Sequence, residues 1–113
     1  MKVQEIRIGN YLSHDGIFRQ VSSLHNDNTL RFKDGDSSIG CFKATQNNIK
    51  PIELTEEILL KCENEFTPDF RTELKNNRLH IFFCEKWLLV CDYLYEYQNA
   101  HYILTNNELT INL

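Results

Sequence analysis

The chain is short of glycine. Gly9, Gly16, Gly35 and Gly40 stand alone, so no glycine-rich loop is present to cradle a phosphate. The four cysteines, Cys41, Cys62, Cys84 and Cys91, form no C-x-x-C pair. Buried free thiols are expected in place of metal ligands or disulfides. His14, His25, His80 and His101 are scattered, and none lies in a nucleophile motif with a nearby Cys, Ser or carboxylate. No run approaches the roughly 18 apolar residues of a membrane span. The start, M-K-V-Q-E-I-R-I-G-N, carries charges where a signal peptide needs an apolar stretch. These absences predict a cytosolic protein without catalytic residues, metal or cofactor. Repeats, low-complexity tracts and linkers are also missing. With 113 residues, a single domain spanning 1–113 is expected.

Basic charge is also scarce, and acidic charge is concentrated. The net charge is −4. Residues 53–73 hold Glu53, Glu56, Glu57, Glu63, Glu65, Asp69 and Glu73 against Lys61 and Arg71, a net of −5. The first 52 residues carry a net of +2. This balance is poor for gripping a phosphate backbone, where several Lys/Arg must replace counterions. It suits a basic protein partner, or simply a solvated helix face. Glu56-Glu57 resembles a catalytic carboxylate pair, but neighbours on a helix point about 100° apart.

What is present reads as an α+β protein. An antiparallel, curled N-terminal β-meander is followed by a short helix, a second meander and a C-terminal helix packed on the sheet. Asp15-Gly16 marks a hairpin between Asn10–His14 and Ile17–Leu24. Asn26-Asp27-Asn28 and Asp34-Gly35-Asp36 bound a strand in which Leu30 and Phe32 alternate with Arg31 and Lys33. Ser38–Phe42 is the next strand, and Ile6 and Ile8 are expected along the sheet edge.

Thr55 is a good N-cap, and Glu56 and Glu57 favour the first turn, so a helix is placed at about 55–63. Pro68 marks a loop. Phe70–Leu74 and Arg78–Phe83 then flank Asn76-Asn77, and Lys86–Cys91 is apolar enough to be a central strand covered on both faces.

The stretch Y-L-Y-E-Y-Q-N-A-H-Y-I-L-T-N-N-E-L, 93–109, reads as a helix at about 93–105. Leu94, Tyr97, His101 and Leu104 share a face. Asp92 is the expected N-cap and Asn106 the left-handed C-terminal residue. That phasing turns Tyr95, Gln98 and Tyr102 outward, where tyrosines flanked by amides suit a protein interface. A strand from Glu108 to Asn112 should close the fold. Candidate partner-binding residues are therefore Glu56, Glu57, Glu63, Glu65, Asp69, Tyr95, Gln98 and Tyr102. The alternative is a nucleic-acid surface on the N-terminal sheet, formed by Arg19, Arg31, Lys33 and Lys43 beside Phe18, Phe32 and Phe42. Alternation argues that these Phe are core and the basic side chains solvated.

Three blocks carry a family likeness: I-R-I-G-N-Y-L at 6–12, I-K-P-I-E-L-T-E-E-I-L-L-K at 49–61, and the tyrosine-rich stretch at 93–109. In order and spacing they resemble a family of small uncharacterised proteins from phages and mobile elements. Its members show L-R-I-G-N-(Y/W)-V, I-x-P-I-P-L-T-E-E-W-L-L-K-F-G-F and Y-V-H-x-L-Q-N-L-Y-F-A-L-T-G-E-E-L. This chain departs at Glu53 for Pro, Ile58 for Trp, Tyr95 for His and Asn106 for Gly. The resemblance implies a phage accessory role and no reaction. A small, acidic, divergent protein in that setting also looks like an anti-CRISPR. The expectation is a non-enzymatic inhibitor of a type VI RNA-guided RNA nuclease, binding the bacterial effector with or without its guide RNA.

Overall fold

A computed structural model describes residues 3–113. Met1 and Lys2, part of the charged start, lie outside the described residues. The chain divides into two compact units, one ending at Ile52 and the other spanning Glu53–Leu113.

The first unit is a five-stranded antiparallel sheet in the order β4-β3-β2-β1-β5. Its strands are β1 (Tyr11–His14), β2 (Ile17–Leu24), β3 (Thr29–Asp34), β4 (Ser37–Lys43) and β5 (Ile49–Lys50). As the sequence predicts, Asp15 and Gly16 form the first hairpin, with φ of 52° and 79° and His14 opposite Ile17. The R-I-G-N block is a turn clipped to β2. Asn10 Oδ1 accepts from the Arg7 N–H at 2.7 Å, and the Gly9 N–H donates to Val21 O at 2.9 Å. Ile6 is buried, but Ile8 is exposed and does not pack along the edge. The sheet's inner face carries Leu12, Val21, Leu30 and Phe32, all fully buried.

Register shifts curl this sheet, as bulges do. One lies between Val21 and Ser23, and another between Leu30 and Phe32 opposite β4. Gly40 sits in the second with φ of 69°. A Cβ there would run into the Phe42 ring, so both backbone and packing demand glycine.

The second unit begins with Glu53 bridged to Tyr93. Helix α1 (Glu56–Leu60) is capped as expected, Thr55 Oγ1 accepting from the Ile58 N–H at 3.2 Å. It ends earlier than the sequence suggests. Cys62–Glu63 leave it as β6 and pair with β10, Thr110–Ile111. The backbone groups that a longer helix would use internally are spent on this ladder, and Asn112 N–H donates to Lys61 O at 2.7 Å.

The second meander is β7 (Phe70–Lys75), β8 (Arg78–Phe83) and β9 (Lys86–Cys91). Asn76 and Asn77 make its first turn at φ of 52° and 60°. Its second turn, Cys84-Glu85, has φ of 51° and 64°, although neither residue favours that region. The Cys84 N–H donates to Asp69 O at 2.8 Å, which helps hold the turn.

One expectation fails here. The sheet order is β7-β8-β9, so β8 is the central strand, with Leu79 and Ile81 buried. The apolar β9 lies at the edge, Trp87 is 58% exposed and Leu88 is exposed beside it.

Helix α2 spans Leu94–Thr105. Its N-cap is Tyr93, not Asp92. The Glu96 carboxylate accepts from the N–H groups of Asp92 and Tyr93 at 2.9 and 3.1 Å. Asp92 is thereby left to pair with Arg78 at 2.6 Å. Asn106 ends the helix with φ of 59°, as its left-handed preference predicts. A chain of rings ties α2 to the meander: Tyr97 lies near Phe66, Phe66 stacks on Phe70, and Phe70 meets Phe83.

Candidate protein-binding surface

The Glu53–Leu113 unit carries two kinds of carboxylate. Those of the meander are neutralised. Glu73 receives Arg71 and Lys75, each at 3.1 Å. Glu85 receives Arg71 at 3.3 Å, and the Arg71 guanidinium also lies over the Phe82 ring at 4.0 Å. Hydrogen bonds from Lys75 and then Arg71 hold the Glu73 carboxyl below its usual range.

The second kind precedes them. Glu53, Glu56, Glu57, Glu63, Glu65 and Asp69 are all exposed. Among the described residues, none of them has an ion pair. The helix, β6 and the following loop present these charges. Glu56 and Glu57 lie at the α1 N-terminus, where the unsatisfied N–H groups favour them. Glu65 is fixed by its backbone, because its N–H donates to His101 Nε2 at 2.8 Å. The five acidic residues expected at a partner surface are therefore all exposed, although buried Ile58 and half-buried Cys62 and Phe66 lie between them in the chain.

The tyrosine-rich helix behaves differently from the sequence expectation. Tyr95 is 7% exposed and Gln98 2% exposed, while Tyr102 is 39% exposed. Only Tyr102 of the three is on the surface. The buried arc of α2 takes in Leu94, Tyr95, Tyr97, Gln98, Ala100 and His101, which is wider than the single stripe the phasing selected. Rings of Tyr93 and Tyr95 stack at 6.1 Å. Tyr95 and Gln98 therefore belong to the packed part of the helix.

Sequence reasoning missed Trp87. Its indole N–H donates to His80 Nδ1 at 3.1 Å, on the edge strand. An exposed Trp with its polar end already bonded offers a large apolar face, the kind of side chain that anchors protein interfaces. A three-strand count, which leaves the third strand at an edge, is the signal that could have flagged it.

The basic residues of the N-terminal sheet are spread along it, and they differ in their surroundings. Arg31 is committed to β4, its Nε and Nη2 donating to Gly40 O at 2.8 Å and Ser38 O at 3.3 Å. Lys33 and Lys43 are exposed. However, Lys43 pairs with Thr29, which sits about 13 Å along β3 from Lys33 at strand spacing. Arg19 was expected to be solvated with Phe18 in the core, and the phase is reversed. Arg19 lies opposite the buried Leu12, its Nε is enclosed without a hydrogen-bond partner among the described residues, and Phe18 is exposed.

Among the thiols, all free, Cys91 alone is buried. Cys62 is half-buried, and Cys41 and Cys84 are exposed. Burial, followed by the carboxylates of Glu96 and Asp92, pushes the Cys91 thiol up to about 12. Among the described residues, no group of three His, Cys, Asp or Glu side chains is placed to hold a metal, and no helix is long and apolar enough to cross a membrane. No protein-family model matches the chain, and no curated protein or solved structure matches it either.

Proposed function

We propose that this chain is a non-enzymatic, phage-derived inhibitor of a bacterial RNA-guided RNA nuclease, an anti-CRISPR of the type VI class acting in the host cytoplasm. One observation carries the protein-binding part of this reading: a run of exposed carboxylates, Glu53 to Asp69, without ion pairs among the described residues. Unneutralised charge of one sign on a small surface steers association with a surface of the opposite sign. A nuclease that holds guide and target RNA must present such a surface, since phosphates are gripped by Lys and Arg. The acidic segment would occupy part of that basic channel, and the exposed Trp87 and Tyr102 would serve as apolar anchors. The target class comes from the family resemblance.

The test is a pull-down of the purified effector nuclease by the immobilised chain, with and without guide RNA. Retention of effector, weakened by added guide or target RNA, is the expected result. Absence of retention in both conditions would overturn the proposal. Incubation with labelled guide RNA alone should leave the RNA intact, and cleavage would assign an enzymatic mechanism instead.

A further inference from the structure

A groove of about 440 Å³ opens beside α1 and strands β7 and β8, lined by Glu56, Leu59, Leu60, Thr72, Leu74 and Leu79. All of these residues belong to the Glu53–Leu113 unit. Its volume lies within the range of sites that take small apolar groups. Leu60 is 86% exposed, on a helix of only five residues whose buried side chain is Ile58. A leucine in that position adds nothing to the packing of its own helix.

The charge around the groove is negative on balance. Glu56 lines it, and Glu57 and Glu63 are exposed on the same short stretch without ion pairs among the described residues. Lys61, next to Leu60, stands alone against these three carboxylates, and two further cations are already spent. Lys75 is bonded to Glu73 at 3.1 Å and Arg78 to Asp92 at 2.6 Å. An occupant therefore meets aliphatic walls and an unmatched negative charge.

We infer that this groove receives a segment of the partner protein that presents two aliphatic side chains flanked by a lysine or arginine, the cation pairing with Glu56. The inference rests on the protein-binding reading above and gives it a recognition element. The aliphatic side chains supply burial against Leu59, Leu60 and Leu74. The cation supplies selectivity, because an acidic segment would be repelled at the same place.

The test uses the full chain, labelled with nitrogen-15, titrated with a blocked hexapeptide Arg-Leu-Ala-Leu-Arg-Ala. Two controls replace both Leu with Ser, or both Arg with Glu. Saturable shifts are expected at the amides of Leu59, Thr72 and Leu74, with each control weaker by about tenfold. Leu60→Ser alters only an exposed side chain and should weaken the first peptide about fivefold to tenfold. Glu56→Arg should weaken it and strengthen the Glu-bearing peptide. Equal binding of all three peptides, or shifts confined to other residues, would overturn the inference. A dimer in sedimentation that Leu60→Ser dissociates would also overturn it, by making a second copy the occupant. Effector capture unchanged by Leu60→Ser and Glu56→Arg would remove the groove while leaving the proposed function standing. Peptide binding at the groove without effector capture would do the reverse.

Discussion

The backbone N–H of Glu65 donates to His101 Nε2 at 2.8 Å, so an acidic loop is held by a histidine from the C-terminal helix. Because Nε2 accepts, Nδ1 must carry the hydrogen, and it donates to Asn107 O at 2.8 Å. The ring is therefore neutral, fully buried, and clamps two loops at once. His101→Leu keeps the volume roughly but leaves the Glu65 N–H without a partner and the Asn107 carbonyl with the Thr105 hydroxyl alone, at 3.2 Å. A loss of about 2–4 kcal/mol is expected, measured by urea unfolding. The Glu65 amide should lose protection from hydrogen exchange. Unchanged protection would show that the bond does not hold the loop.

The acidic segment should act mainly on association rate. Replacing Glu56, Glu57, Glu63 and Glu65 together by Lys reverses its sign at exposed positions. The on-rate for the effector nuclease should fall by about tenfold or more at low salt, and the difference should shrink as salt rises. Surface-plasmon kinetics at several ionic strengths read this directly. An on-rate indifferent to the reversal would remove the segment from the mechanism.

Among the four glycines, Gly40 leaves the least room for a side chain. Its φ of 69° and the Phe42 ring against its α-carbon both oppose a side chain. Gly40→Ala should cost about 2 kcal/mol or more. Gly35, at φ of 62° with open space around it, supplies the comparison, because Gly35→Ala meets backbone strain alone and should cost about 1 kcal/mol. Thermal unfolding of the pair checks the order. Equal losses would show that the Phe42 contact contributes nothing.

Alkaline pH should destabilise the Glu53–Leu113 unit. Burial pushes Tyr97 from 10.0 up to about 12, and burial followed by Glu96 and Asp92 pushes Cys91 from 9.0 to about 12. Burial alone takes Cys62 to about 11. An unfolded chain ionises these groups near their ordinary values, while the folded one keeps them protonated. Their contribution is intact below about pH 9 and is lost as the pH rises toward 12. At pH 8, iodoacetamide should label the exposed Cys41 and Cys84 first, and Cys91 only after denaturant is added. Mass spectrometry of the digests gives the order, and prompt labelling of native Cys91 would contradict its burial.

Much of the local structure could be read from particular residues. Asp15-Gly16 and Asn76-Asn77 announced their turns because they accept positive φ. Thr55 and Asn106 marked helix ends because a hydroxyl caps the first turn and Asn tolerates the left-handed region. The Cys84-Glu85 turn was unreadable for the opposite reason. Neither residue prefers its conformation, and strand pairing on both sides imposes it. Of the candidate site, the exposed acidic residues were legible because their polarity and number leave no route to burial.

The sequence by itself determined the α+β class, the order of the two meanders and two helices and the acidic character of residues 53–73, because capping, turn chemistry and charge are local properties. Tertiary structure alone decided which apolar residues stay wet. A run such as K-W-L-L-V-C has the same composition at the centre of a sheet or at its edge, and only the three-strand order exposes Trp87. Helical phasing likewise gave Tyr95 and Gln98 an outward direction, but how wide an arc is covered depends on what packs around the helix. Local periodicity specifies direction; the number of neighbours, set by the whole fold, specifies burial.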